Sequence, residues 1–356
     1  MKFSEFLKKD RDNLLIRVIS FFWILSKLWI QNAWLPSRTT PTVPLIPDIG
    51  NAGDLILVSN IISISLLFFL MFNVKRWAVL FVILCEFISI ICDYLFLQPW
   101  EYIYLVIFFV HYVYWSNTYK RNFIIQLFIA SVYIFSGLHK LDRIFLTTVW
   151  NRIFLNEYFG IAQETVLQYK LFFLGLIIPF IEIAIGIFFL ISKFSRTAGY
   201  FIVITHVVIL LMVDPLGLKA NSVIWIWNTA MIAVILYLLW KKYNPVRINV
   251  FWYAAIFAAP LLTFFLGSTS YLTFNLFTGK NDQVYIHSKD KFPPEYQAAE
   301  LPLSEKPYRY YINLQEVVMG ETGLPPTPEE WYQKRMIQQF KQKFRESRII
   351  VVPPPN

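Results

Sequence analysis

Asn122-Phe-Ile-Ile-Gln-Leu-Phe-Ile-Ala-Ser-Val-Tyr-Ile-Phe-Ser-Gly-Leu-His-Lys-Leu-Asp142 decides the fold. Residues 122–139 form an apolar run about as long as a bilayer's hydrocarbon core is thick, and the run closes on His139, Lys140 and Asp142. A cationic amine at the edge of hydrocarbon costs several kcal/mol unless it is paired, snorkels to the interface or serves a site. Comparable apolar runs recur from near residue 14 to 267. Their sum shows in the composition: 57% of residues are hydrophobic, 19% aromatic and only 15% charged, outside the range of soluble domains. The chain therefore reads as an all-α polytopic membrane bundle.

Nine spans are expected, near 14–36, 54–73, 77–98, 101–118, 122–139, 170–192, 197–213, 221–240 and 249–267. Arg17 and Lys27 interrupt the first. Basic residues gather in every second loop: Lys8, Lys9 and Arg11, then Lys75 and Arg76, Lys120 and Arg121, Lys193 and Arg196, Lys241, Lys242 and Arg247. Of the opposite loops, Gln98–Glu101 has no Lys or Arg and Asp214–Asn221 has only Lys219. The positive-inside rule then puts the N-terminus in the cytoplasm and, with nine spans, the C-terminus outside. The polar start Met1–Asn13 leads into a long run without a small-residue cleavage site, so it reads as an uncleaved anchor. Short basic cytoplasmic loops suit a bacterial inner membrane, and they account for the net charge of +9 without nucleic acid as a partner. Membrane lipids are the expected surroundings.

The bundle is expected over residues 1–267 and a small extracytoplasmic α+β unit over 268–356, where charge and proline rise sharply. Strands are expected at Gln283–His287, Tyr308–Val318 and Ile349–Val352. Thr327-Pro328-Glu329-Glu330 has the form of a helix start, with Thr327 as cap and the helix running from Trp331 to about Phe344. This unit offers a docking surface for protein partners. Outside the bilayer, Ser37–Asp54 is rich in Pro and Thr and reads as an ordered or capping loop. In Arg143–Lys170, Ile144, Phe145, Val149, Trp150, Ile153, Phe154 and Tyr158 recur at helical spacing, either as an interfacial belt or packed on the bundle.

Ionisable residues inside apolar runs are the candidate functional residues. They are Glu86, Asp93, His111, Glu182 and His206, with His139, Lys140 and Asp142 at the outer end of the fifth run. At ~1.5 Å rise per residue, His206 lies roughly 10 Å below the outer interface, and Glu86, His111 and Glu182 fall near the midplane. Glu86 and Asp93, seven apart, share a face. Together these groups are expected to line a cavity open to the outside, with Lys140 as a base. The competing reading is structural: Lys140 pairs with Asp142 at the headgroups, and Glu182 with His206 between helices. The four histidines share no ligand spacing, so no metal is expected. Cys85 and Cys92 read as two free core thiols, and Trp225 and Trp227 as an outer aromatic belt.

Tyr133-Ile-Phe-Ser-Gly-Leu-His-Lys-Leu-Asp142 resembles the Gly-x-Lys-Lys-Leu-Asp segment of the vitamin K-dependent gamma-carboxylase family and its bacterial HTTM-type relatives. Phe180-Ile-Glu-Ile-Ala-Ile-Gly-Ile-Phe-Phe189 and Phe194-Ser-Arg-Thr-Ala-Gly199, with His206 in the span that follows, resemble further family segments. The likeness covers roughly residues 100–240, and DoxX-like membrane proteins share part of it. It implies an enzyme in which Lys140 is the base toward a reduced quinone, His206 a cavity histidine and Glu182 the acidic partner, with His111, Glu86, Asp93 and His139 as further cavity candidates. His139 stands where the family has the first Lys of its pair, and the C-terminal unit is far shorter than the family's substrate-handling region. A quinone, lipid or peptide is the implied substrate class. The alternative is a non-catalytic subunit of a cell-envelope complex that docks partners through residues 268–356.

Overall fold

The computed structural model describes residues 3–47, 49–50, 52–213, 223–241, 245–265, 271–276, 278–280, 282–296, 298–300 and 307–353, with backbone alone over 3–12. The Asp214–Asn221 loop with Lys219, Lys242, and the side chains of Lys8, Lys9 and Arg11 lie outside the described residues.

In chain order the bundle runs α1 (Phe3–Trp29), a one-turn α2 (Gln31–Trp34), α3 (Ala52–Phe72), α4 (Arg76–Cys92), α5 (Pro99–Val113) and α6 (Thr118–Lys140). A π-helical segment over Phe145–Tyr158 and the short α7 (Gln163–Gln168) follow. Next come α8 (Ile177–Leu190), led in by a 3-10 turn over Leu171–Leu176, then α9 (Ser195–Met212) and α10 (Ile224–Lys241). The last apolar stretch combines α11 (Val250–Tyr253), a π turn and α12 (Ala259–Phe265).

Among the described residues, five helical segments are long and apolar enough to cross a membrane: Ala52–Phe72, Thr118–Lys140, Leu171–Leu190, Ser195–Met212 and Ile224–Lys241. Their burial differs with position. α6 is the central post, 83% of its apolar window buried inside the protein, against 22% for Leu171–Leu190. The outer faces of α8 and α9 turn Phe180, Ile181, Phe188, Phe201 and Ile204 outward, as lipid-facing helices do. α4 and α5, at 17 and 15 residues, fall short of the roughly 20 that a straight crossing needs. The reason lies at Asp93. Its extended backbone stops α4, and its carboxylate accepts from the Leu95 and Val43 amides at 3.1 Å each and from Arg38 Nη1 at 2.5 Å. The expected 77–98 span therefore breaks into a helix, a cap and a 3-10 turn.

The C-terminal unit forms a four-stranded antiparallel sheet in the order β2-β3-β1-β4, with β1 Gln283–Ser288, β2 Ala299–Glu300, β3 Tyr310–Asn313 and β4 Arg348–Val352. Two helices, α13 (Leu314–Thr322) and α14 (Glu330–Lys343), complete it. Two expectations change here. The strand anticipated over Tyr308–Val318 ends at Asn313, because the Asn313 side chain accepts from the Gln315 and Glu316 amides and starts α13. Asn-x-x-Glu over 313–316 is a helix-start signal that its apolar neighbours obscured. Thr327 does not cap α14; the helix begins three residues later, where Glu329 is drawn toward the bundle by the Tyr94 hydroxyl at 3.2 Å.

This unit sits on the bundle end that carries Asp93 and the C-terminus of α6. Arg335, Gln339 and Lys343, one turn apart along α14, donate to the carbonyls of Pro44, Thr42 and Thr39 at 2.7, 3.0 and 3.4 Å. The Glu321 carboxylate accepts from the Thr39 and Thr40 amides. The Pro- and Thr-rich loop is thereby held between bundle and cap. Burial alone would raise the Glu321 carboxyl, but the two amides and the Thr hydroxyls hold it below the ordinary glutamate range. A carboxyl depressed on folding adds stability above its unfolded pKa and loses it as pH falls through the folded value. Glu321→Gln is thus expected to melt earlier than wild type at about pH 7, with the gap closing toward about pH 3. Thermal denaturation of the two proteins across that range checks this; a constant gap would refute it.

The amphipathic stretch after α6 packs on the bundle. Phe145, Val149 and Leu155 are buried, and Trp150 lies over Gly175, whose added Cβ would meet the indole at 2.6 Å. Cys85 and Cys92 are both buried and unlinked.

Candidate functional site

Tyr133, Ser136 and Lys140 lie at i, i+3 and i+7 on α6, a spacing that sets them along one face. α8 lies against that face with unusual closeness, because glycine stands on each helix where the other passes. A Cβ on Gly137 would fall 2.7 Å from Ile183 Cγ1 and 2.8 Å from the Pro179 carbonyl. One on Gly186 would fall 2.7 Å from Ile134 Cγ1 and 2.8 Å from the Ala130 carbonyl. Between these two contacts on α8 stands Glu182. Lys140 Nζ donates to Glu182 Oε1 at 2.8 Å, to Glu182 Oε2 at 2.7 Å and to Ser136 Oγ at 2.7 Å. Its three N–H bonds are all engaged, and the two side chains are only 7% and 13% exposed.

Facing the ion pair is a second chain of polar groups. Asn228 Nδ2 donates to the Ile224 carbonyl at 2.8 Å, which turns its Oδ1 toward His206 Nδ1 at 2.5 Å. An amide oxygen can only accept, so Nδ1 carries the hydrogen and Nε2 is left with its lone pair. Nε2 meets the Tyr133 hydroxyl at 2.9 Å, and the hydroxyl is then the donor. The assignment follows from the amide orientation. It leaves the Tyr133 oxygen free to accept a hydrogen from a further group.

These residues line a cavity of ≈ 60 Å³. At roughly 15 Å³ of such space per water, that is room for about four waters or the polar end of a ligand. Ile103, Val132, Ile209, Trp227, Met231 and Leu276 form its apolar lining. Trp227, expected in an aromatic belt, faces this cavity instead, while Trp225 stacks edge-on against Trp29 at 5.6 Å.

Of the residues singled out in the sequence, the structure brings Lys140, Glu182 and His206 together and leaves the others elsewhere. Glu86 is taken by Lys27 at 2.7 Å and Asp93 by Arg38, so neither lines the cavity. His111 lies in the last turn of α5, wholly buried and edge-on to Trp115 at 5.2 Å, and does not line the cavity. His139 turns aside to Phe264 at 5.0 Å. Both structural pairings also change: Asp142 takes Lys280 at 3.0 Å, not Lys140, and His206 takes Tyr133 and Asn228, not Glu182.

Tyr133, Ser136 and Asn228 complete the site, and none of them carries a charge that an apolar run sets apart. Tyr133 stands two turns and Ser136 one turn before Lys140 on its own face, and Asn228 is the one amide within Ile224–Lys241. Those positions were the available signal. The chain matches no family model, no characterised protein and no solved structure.

Proposed function

We propose that the chain is a multi-pass enzyme of the carboxylase-like class, with nine spans, a cytoplasmic N-terminus and an extracytoplasmic cap in a bacterial inner membrane. Its site acts on the acidic hydroxyl of a small amphipathic molecule of quinol type. The observation that carries the reading is the pairing of a buried Lys–Glu couple with a directed Tyr133–His206–Asn228 chain across one cavity. Ring and polar edge both find matching surroundings there: Trp227 and Met231 for the one, Tyr133 oxygen and Glu182 for the other.

The chemistry follows from who holds the protons. With three donors engaged, Lys140 is an ammonium and has no lone pair to act as base. Glu182 is the proton acceptor in this state, and Lys140 stabilises the anion left on the substrate oxygen. Lys140 becomes the base itself only after passing a proton to Glu182, an exchange between two groups already in hydrogen-bond contact. Tyr133, its own hydrogen held by His206, accepts from the second hydroxyl of a quinol-type substrate and so orients the first toward Glu182.

Native mass spectrometry of the gently solubilised protein, beside the doubly neutral Lys140→Met/Glu182→Gln variant, tests this. A quinone- or lipid-sized species bound to wild type and absent from the variant is expected. Stoichiometric protein partners retained by both, with no small molecule, would overturn the enzyme reading. That outcome would favour an accessory subunit of an envelope complex. One feature supports this second reading: β4 is an edge strand with Val351 and Val352 47% and 43% exposed, a surface suited to pairing with another chain.

A further inference from the structure

The half of the bundle away from the Lys140 cavity buries a second set of charges. Lys27 on α1, Glu86 on α4 and Glu101 on α5 are each 2% exposed. Lys27 Nζ donates to Glu86 Oε2 at 2.7 Å and to Asn60 Oδ1 at 2.8 Å, and Ser63 Oγ donates to Glu86 Oε1. Glu101 Oε2 accepts from Trp23 Nε1 at 2.8 Å. Its other oxygen, Oε1, is buried and met by no N–H or O–H, while the carboxyl lies within hydrogen-bond reach of Glu86.

One ammonium stands here against two carboxyls. A second carboxylate would be a net negative charge sealed in an apolar bundle, with its oxygen turned toward a like charge. Both difficulties vanish if Glu101 Oε1 carries a hydrogen and donates it to Glu86. Two carboxyls in contact cannot both be ionised at low cost; one proton between them converts repulsion into a charge-assisted bond. The remaining titratable groups facing the pair are the Cys85 thiol on α4 and the Tyr104 hydroxyl on α5, and neither supplies a positive charge. Asn60 and Ser63 on α3 and Trp23 on α1 are neutral.

We propose that Glu86 and Glu101 bind a single proton between them, carried by Glu101, and form an ionisable site separate from the Lys140 cavity. Glu86 remains the partner of Lys27, and Trp23 holds the acceptor oxygen of the acid. Loss of the proton sets the two carboxylates against each other where α4 meets α5, so alkaline pH loosens that contact.

Infrared spectroscopy of the intact solubilised protein tests the assignment. At neutral pH the spectrum is expected to contain a protonated carboxylic-acid carbonyl band that shifts in deuterium oxide, disappears in Glu101→Gln and fades as pH rises. A wild-type spectrum with no such band overturns the proposal, however the variants fold. Its survival in Glu101→Gln does so too, since the acid would then lie elsewhere. Melting temperature supplies a second readout. Glu101→Gln, one neutral group for another, is expected to melt within a few degrees of wild type, whereas Glu86→Gln, which strips Lys27 of its partner, melts clearly lower. Equal losses in the two variants would mean that Glu101 is itself ionised and would refute the proposal.

Discussion

Lys140→Met lowers the stability of the solubilised protein by about 3–5 kcal/mol, the usual cost of stranding one member of a buried ion pair. The size follows from the surroundings: Glu182 accepts both of its charge-assisted bonds from this one amine, and its side chain is only 13% exposed. Glu182→Gln alone loses a comparable amount by leaving the ammonium with a neutral amide and Ser136. The double variant Lys140→Met/Glu182→Gln removes both charges and is expected to recover most of the loss, because desolvation no longer opposes burial. Denaturation of the four proteins gives the coupling directly. A double variant as unstable as the two losses added together would mean that the pair is not what holds α6 to α8. The cycle also separates folding from chemistry, since the double variant is a folded protein without the proposed base.

The second large effect comes from residues with no side chain to lose. Gly137→Ala places a methyl group 2.8 Å from the Pro179 carbonyl, and Gly186→Ala places one 2.8 Å from the Ala130 carbonyl. Both obstacles are backbone, which cannot rotate away. Overpacking of this kind costs about 1–3 kcal/mol, and Leu at either position is expected to cost more. Separating the helices also draws Glu182 from Lys140, so the packing loss and the electrostatic loss come together. Thermal denaturation of the Ala and Leu variants checks this; Leu variants as stable as wild type would show that the helices do not meet there. Close approach at small residues is the general route by which helices pack in lipid, where no hydrophobic force joins them.

The sequence made the helical bundle and the small appended sheet legible, because apolar runs and strand alternation are local signals. It also ordered Lys140, Glu182 and His206 as a set. It could not say which charge meets which. Pairing depends on helix rotation and on which helices are neighbours, and these decide whether Glu86 faces the Lys140 cavity or Lys27. Lys27 read as an interruption of the first run because its partner is 59 residues away. Asp93 read as an intramembrane group because nothing near it in the chain announces Arg38 or the Val43 amide. Asn313 was overlooked for the opposite reason: its cap is local, but the apolar pattern around it favoured a strand.

The separation in sequence between Lys140 and Glu182 has a consequence during synthesis. Glu182 follows Lys140 by 42 residues, and Lys27 waits 59 residues for Glu86. At ~5–20 residues per second, each lysine is made roughly 2–12 seconds before its partner. For that interval the amine must stay at the headgroups or inside the insertion machinery, since an isolated charge at the middle of the bilayer costs about 2.5–3.5 kcal/mol even on insertion scales. The two buried pairs thus act as latches on assembly: α1 and α6 settle fully only when α4 and α8 arrive.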